Sequence, residues 1–136
     1  MSKAPTPEAF AASGSEDGHQ IALFIWAQQN LKLYPELELM FAIPNGGSRH
    51  KAEAAKLKAM GVKTGVSDIL LPVCKGAYSG LWIELKRPKS VGKAKGVTAD
   101  EQSEWIEKMK LQCFGGMVCY GWESARDTIL EYLKYE

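Results

Sequence analysis

Long apolar runs, histidine and paired cysteines are what this chain has least of. No uninterrupted apolar segment approaches the ~20 residues of a membrane-spanning helix. The N-terminus has no basic stretch followed by an apolar core, so neither a membrane class nor a secretory leader is expected and the protein reads as cytoplasmic. The cysteines number three, Cys74, Cys113 and Cys119, with no C-x-x-C spacing. That odd, scattered set argues against a disulfide framework or a zinc site, and reduced, mostly buried thiols are expected. The two histidines, His19 and His50, come with no recognisable nucleophile context, which argues against thiol catalysis.

What is present suits one globular domain. The 136 residues are 46% apolar, enough for a sizeable core and too much for disorder. The formal charge of +1 conceals an asymmetry: between Arg49 and Lys95 there are eleven basic side chains against Glu53, Asp68 and Glu84, a local net charge of +8, and the remainder carries −7. A central basic belt suits a polyanionic partner. The bland alternative is a solvated surface with lysines on one helix and in one loop.

Residues 1–14 are rich in Ala, Pro, Ser and Thr and read as a mobile tail, leaving 15–136 as the folded domain. Ser15 is a plausible N-cap for a helix from Glu16 to about Leu33, with Ile21, Leu23, Phe24, Ile25, Trp26, Ala27 and Leu31 giving a broad apolar face. Gly18 weakens its start. A strand is expected over Leu37–Ile43, a turn over 44–48, and a Lys-rich helix from His50 to Met60 whose Lys51, Lys56 and Lys58 are candidates for phosphate contacts. Two strands follow between Gly65 and Arg87, then a basic loop over Pro88–Val97 with Lys89, Lys93 and Lys95. Thr98 and Glu101 match a capping box for a helix packing through Trp105, Ile106, Met109 and Leu111. Gly115-Gly116 is expected to stop that helix before a short strand over Met117–Tyr120 and a last helix over Trp122–Tyr135. The order α, β, α, β, β, α, β, α predicts an α/β fold, a mixed sheet flanked by helices.

The stretch G-V-S-D-I-L-L-P-V-C-K-G-A-Y-S-G-L-W-I-E-L-K-R-P, Gly65 to Pro88, carries the chemistry. Strand alternation puts Leu81, Ile83 and Leu85 on one face and Trp82, Glu84 and Lys86 on the other. Asp68 heads the preceding strand. Carboxylates at the centre of a sheet are costly unless paired with positive charge. Asp68 and Glu84 can supply oxygen ligands to Mg²⁺, with Lys86 beside the scissile phosphate. The plainer reading is a structural ion pair of Lys86 with either carboxylate on an exposed sheet face.

An Asp at the head of a strand, a hairpin and then Glu-x-Lys resembles the PD-(D/E)xK nuclease superfamily. The motifs G-V-S-D, G-L-W-I-E-L-K-R-P, T-A-D-E-Q-S-E-W, I-P-N-G-G and Y-G-W-E-S-A are similar to its VRR-NUC branch, from about Glu16 to the C-terminus. One departure is Ser67, where the branch commonly has Pro. The resemblance implies a restriction-endonuclease-like fold and a metal-dependent nuclease acting on DNA. It implies Mg²⁺ or Mn²⁺ held by Asp68, Glu84 and the main-chain carbonyl of Leu85, with Lys86 catalytic, Gln102 near the metal and attacking water, and Glu16 brought to the site from the first helix. Arg49, Lys51, Arg87, Lys89, Lys93 and Lys95 are the expected DNA contacts. Stand-alone members of phage or bacterial type further resemble Holliday-junction resolvases of recombination and repair, which implies a homodimer. A flap or nonspecific nuclease, and a non-catalytic DNA-binding accessory protein, are the alternatives.

Overall fold

The computed structural model describes residues 4–44, 50–90, 92 and 94–136. The turn glycines Gly46 and Gly47 and two of the expected DNA contacts, Arg49 and Lys93, lie outside them.

Among the described residues four strands form one mixed sheet in the order β1 (Phe41–Ala42), β2 (Ile69–Leu71), β3 (Leu81–Lys86), β4 (Gly115–Tyr120). The first three run antiparallel to their neighbours, and β3 pairs in parallel with β4. Five α-helices accompany them among the described residues: α1 (Pro7–Ala11), α2 (Glu16–Gln29), α3 (Lys51–Ala59), α4 (Asp100–Leu111) and α5 (Trp122–Leu133). The parallel β3–α4–β4 connection puts α4 on one face of β3, and α2 and α5 pack on the other. Every residue of β3 is consequently buried. Leu81, Ile83 and Leu85 join Leu23, Trp26, Ile69, Leu71, Trp122 and Ile129 in the main core, each such side chain contributing about 1.5–3 kcal/mol by leaving water. On the opposite face Trp82 meets Trp105 of α4 edge-on, with ring centroids 5.5 Å apart.

Several expectations from the sequence need correcting. The segment read as a mobile tail carries α1, capped by Thr6, with Pro7 buried and the Pro5 carbonyl accepting a hydrogen bond from Gln29 Nε2 at 2.9 Å. Gly18 is what lets α1 lie against α2: a Cβ there would sit 2.5 Å from the Phe10 carbonyl oxygen and 2.6 Å from Ser13 Oγ. The strand expected over Leu37–Ile43 is a 3₁₀ helix over Pro35–Leu39 followed by the two residues of β1. Tyr34, Leu37 and Met40 face the core at a spacing of three, and their backbone bonds run i to i−3, Leu37 to Tyr34 and Met40 to Leu37. Alternation and a three-residue repeat cannot be told apart over so short a stretch. Helix α2 stops at Gln29, where Asn30 turns its side-chain amide back to the Trp26 carbonyl at 2.8 Å.

Helix α4 begins one residue later than the expected box. Ala99 is the N-cap and its N–H donates to Gln102 Oε1 at 2.9 Å, while Thr98 Oγ1 is buried with no partner among the described residues. The helix ends not on the glycine pair but on Cys113, which takes the left-handed conformation (φ 67°). Gly115 and Gly116 are strand residues, and a Cβ on Gly116 would lie 2.8 Å from Ile106 of α4. Leu111, expected in the core, is 81% exposed. Of the thiols only Cys119 is buried.

Candidate active site

Three elements meet at the C-terminal half of β3. Asp68 stands just before β2; its carbonyl accepts the Ile43 N–H at 2.7 Å, which joins β1 to the site. Its Oδ2 accepts the Leu85 N–H at 2.8 Å, which fixes the carboxylate across the neighbouring strand. Gly65, three residues earlier, has φ 83° and passes so close to the first turn of α4 that a Cβ would lie 2.7 Å from the Glu101 carbonyl. That close approach seats the Asp68 loop against α4.

Glu84 projects from β3 on the α4 side and is wholly buried. Its Oε1 receives Gln102 Nε2 at 2.5 Å and lies 3.4 Å from the Lys86 ammonium, which is itself 8% exposed. Its Oε2 has no hydrogen-bond partner among the described residues. Gln102 thus works as a strut: its oxygen takes the Ala99 N–H and its nitrogen holds Glu84, so the register of α4 sets the Glu84 rotamer.

The electrostatics follow from that enclosure. Burial, and next the charge of Asp68, push Glu84 up to about 8, and Lys86 only partly offsets them. Asp68 is raised too, first by burial, against the Leu85 hydrogen bond that lowers it. An exposed structural ion pair is therefore not what Glu84 and Lys86 form. Two carboxyls, Glu84 fully buried and Asp68 half-buried, face each other with one ammonium beside Glu84, a donor set short of positive charge.

The fold has a counterpart. A solved structure described as a VRR_NUC domain protein superposes with a TM-score of 0.73 at 30% identity, covering 89% of this chain and 89% of that one. No family sequence model and no curated protein matches the chain. The chain belongs to the VRR-NUC family.

In this VRR-NUC nuclease domain of the PD-(D/E)xK superfamily, the residues expected from the sequence to form the signature are Ser67-Asp68 and Glu84-Leu85-Lys86. Ser67, in the position of the usual Pro, is fully buried and its hydroxyl has no partner among the described residues. The Leu85 side chain lies in the core, so only its main chain reaches Asp68. Glu16, in the first turn of α2, is half-buried and raised chiefly by desolvation; the charges of Lys86, Asp68 and Arg87 act on it. The VRR-NUC fold thus brings Asp68, Glu84, Lys86 and Gln102 together and sets Glu16 within electrostatic reach. Among the described residues no group of three or more His, Cys, Asp or Glu side chains converges on a metal-binding position.

The expected basic contacts divide. Arg87 is half-buried and donates through Nε to the Ala94 carbonyl at 3.0 Å. Lys89 and Lys95 are exposed, as is Lys51 on α3, a helix with no buried residue. Sequence reasoning missed His19. It is buried, and its Nδ1 accepts the Trp122 N–H at the start of α5 at 3.0 Å. One turn from Glu16, it ties the N-terminus of α2 to the sheet beside Gly121, whose N–H donates to the Lys86 carbonyl at 2.9 Å. The signal was in the spacing, since His19, Ala22, Leu23, Trp26 and Ala27 fall on the helix stripe that faces the core.

No helix among the described residues is long and apolar enough to cross a membrane.

Proposed function

We propose that this VRR-NUC domain hydrolyses DNA phosphodiester bonds with a divalent cation, Mg²⁺ or Mn²⁺, held by Asp68, Glu84 and the Leu85 carbonyl. The observation that carries the reading is the buried Glu84 carboxyl, which stands against the Asp68 carboxyl and is pushed up to about 8 by burial and by the Asp68 charge. Such a site is poor at holding two negative charges alone and suited to a hard dication that takes carboxylate oxygens. When bound, the cation acidifies a water nucleophile and offsets charge on the phosphate.

The protein's own side chains do the rest. Lys86, held 3.4 Å from Glu84 Oε1, supplies an ammonium for a phosphate oxygen or for orienting the water. Gln102 keeps Glu84 in one rotamer, and Trp82, on the same face of β3, packs edge-on against Trp105 of α4. Glu16 contributes negative charge at the outer edge. Ser67, the hydroxyl beside Asp68, is fully enclosed and cannot approach a phosphate; the nucleophile in this reading is water. Lys51, Arg87, Lys89 and Lys95, with Arg49 and Lys93, neutralise the DNA backbone.

The finer reading is a structure-selective endonuclease of the Holliday-junction-resolving kind. Two symmetric cuts call for two sites about a two-fold axis and hence a homodimer. The test is cleavage of a labelled four-way junction, a linear duplex, a single strand and a 5′ flap in Mg²⁺, Mn²⁺ or EDTA, by wild type and Asp68→Ala. Paired metal-dependent cuts at the junction, absent from the variant, are the expected result. Cutting confined to flaps or ends keeps the site and overturns the junction reading. Junction binding without cleavage of any substrate overturns the catalytic one.

A further inference from the structure

The basic loop after β3 is fastened to the strand it leaves. Gly96 donates its N–H to the Arg87 carbonyl at 3.0 Å, and Arg87 Nε donates to the Ala94 carbonyl at the same distance. Gly96 is buried so close to the site that a Cβ on it would stand 3.2 Å from the Lys86 Cβ. Between these ties lies Lys95, whose ammonium sits 3.9 Å from the centroid of the Tyr120 ring.

Tyr120 is the residue paired with Lys86 in the parallel β3–β4 register. Partners in register point to the same side of a sheet, so Tyr120 belongs to the face that carries Glu84 and Lys86. Gly116, two pairs back on that face, packs against α4 as Trp82 does. The two lysines are handled differently. Lys86 is paired with Glu84, whereas Lys95 forms no ion pair with a described residue. A ring attracts a cation through its quadrupole without neutralising it. It therefore fixes where the ammonium stands and leaves its full charge for an incoming anion.

We infer that Tyr120 is a positioning residue which holds Lys95 beside Lys86 as a preset clamp for a DNA phosphate flanking the scissile one. The inference rests on the nuclease reading above, and binding measured without cleavage separates the two. In the Asp68→Ala background, binding of a labelled duplex with a four-way junction alongside is followed against salt concentration for Tyr120→Phe, Tyr120→Leu, Lys95→Ala and Tyr120→Leu/Lys95→Ala. One lost phosphate contact lowers the salt slope by about 0.9, and loss of an exposed cation–π hold corresponds to roughly three- to fivefold in affinity.

Tyr120→Phe, which keeps the ring, should bind like the parent. Tyr120→Leu should bind about three- to fivefold more weakly, Lys95→Ala should lose about 0.9 in slope, and the double variant should be no weaker than Lys95→Ala. A structural role for Tyr120 would lower thermal stability and leave the salt slope and affinity unmoved, which overturns the proposal. So does an additive double variant, since Tyr120 would then touch DNA itself. A measurement on the unaltered Tyr120 protein guards against a misfolded Leu variant: ring current should shift the Lys95 ε-methylene protons upfield, with the resonance assigned by its loss in Lys95→Ala. Unshifted protons overturn the contact.

Discussion

Replacing Glu84 by Gln should make the metal-free protein more stable and catalytically dead. In the folded chain Glu84 titrates at about 8 against 4.5 for an unperturbed Glu. Across that window the native state holds a proton that the unfolded chain has released, so native stability falls as pH rises from 4.5 toward 8. Each pH unit takes about 1.4 kcal/mol. Counting from the unfolded value to pH 7 gives about 3 kcal/mol, which an uncharged Gln does not lose. Gln102 can still donate to the oxygen of the new amide, whose N–H can turn to Asp68. Burying that amide takes back about 1 kcal/mol. The net expectation is a gain of about 2 kcal/mol at pH 7, close to zero at pH 5 and larger at pH 8.

Urea unfolding in EDTA at pH 5, 6, 7 and 8 measures it, with a midpoint shift of about 1 M expected at pH 7. Added Mn²⁺ should raise the wild-type midpoint by mass action and leave the Gln variant where it was. A Gln variant that is less stable at pH 8, or a difference that does not grow with pH, would refute the claim that Glu84 is buried against Asp68 with only partial compensation by Lys86.

Gln102→Leu should lower kcat by about ten- to a hundredfold, the usual cost of losing a group that orients a metal ligand, and leave KM for DNA unchanged; a matching rise in KM would put Gln102 on the substrate instead. His19 is held below its ordinary pKa by burial, and only the neutral ring can accept the Trp122 N–H. The contribution is whole above the usual histidine range and fades as pH falls through 6.5 and below. Thermal unfolding of His19→Ala should show a loss of about 2 kcal/mol at pH 8 that shrinks at pH 5, and a pH-independent loss would discard the cap. Gly18→Ala should cost about 1–3 kcal/mol by driving a methyl into the Phe10 carbonyl. Limited proteolysis would show cleavage within residues 4–14 well before the rest, and unchanged protection would mean that α1 does not rest on Gly18.

Alternation placed Leu81, Ile83 and Leu85 opposite Trp82, Glu84 and Lys86 before any coordinates were needed, because a strand has only two sides. Asp68 at the strand head and the order of the main elements were equally legible, since each depends on neighbours within a few residues; the stripe of α2 was legible only in part, because Leu23, Trp26 and Ala27 are buried while Ile21 is 45% exposed and His19 and Ala22 face the core. The Pro35–Leu39 segment and the start of α4 were misread for the same reason. Their hydrogen bonds are local, but which local pattern wins depends on what Leu37 and Gln102 meet in the fold.

Tertiary structure alone decided the rest. That Glu84 is sealed depends on α4 closing over β3, and that Gln102 holds it depends on a contact spanning 18 positions in the chain. Gly18 looked like a flaw in a helix until α1 lay across it. His19 meets Trp122 across 103 positions, and Lys95 meets Tyr120 only because β4 returns beside β3. Composition and periodicity set which residues are buried and which carry charge. The depth of burial that shifts a carboxyl, and the pairing of groups far apart in the chain, come into being only when the sheet closes.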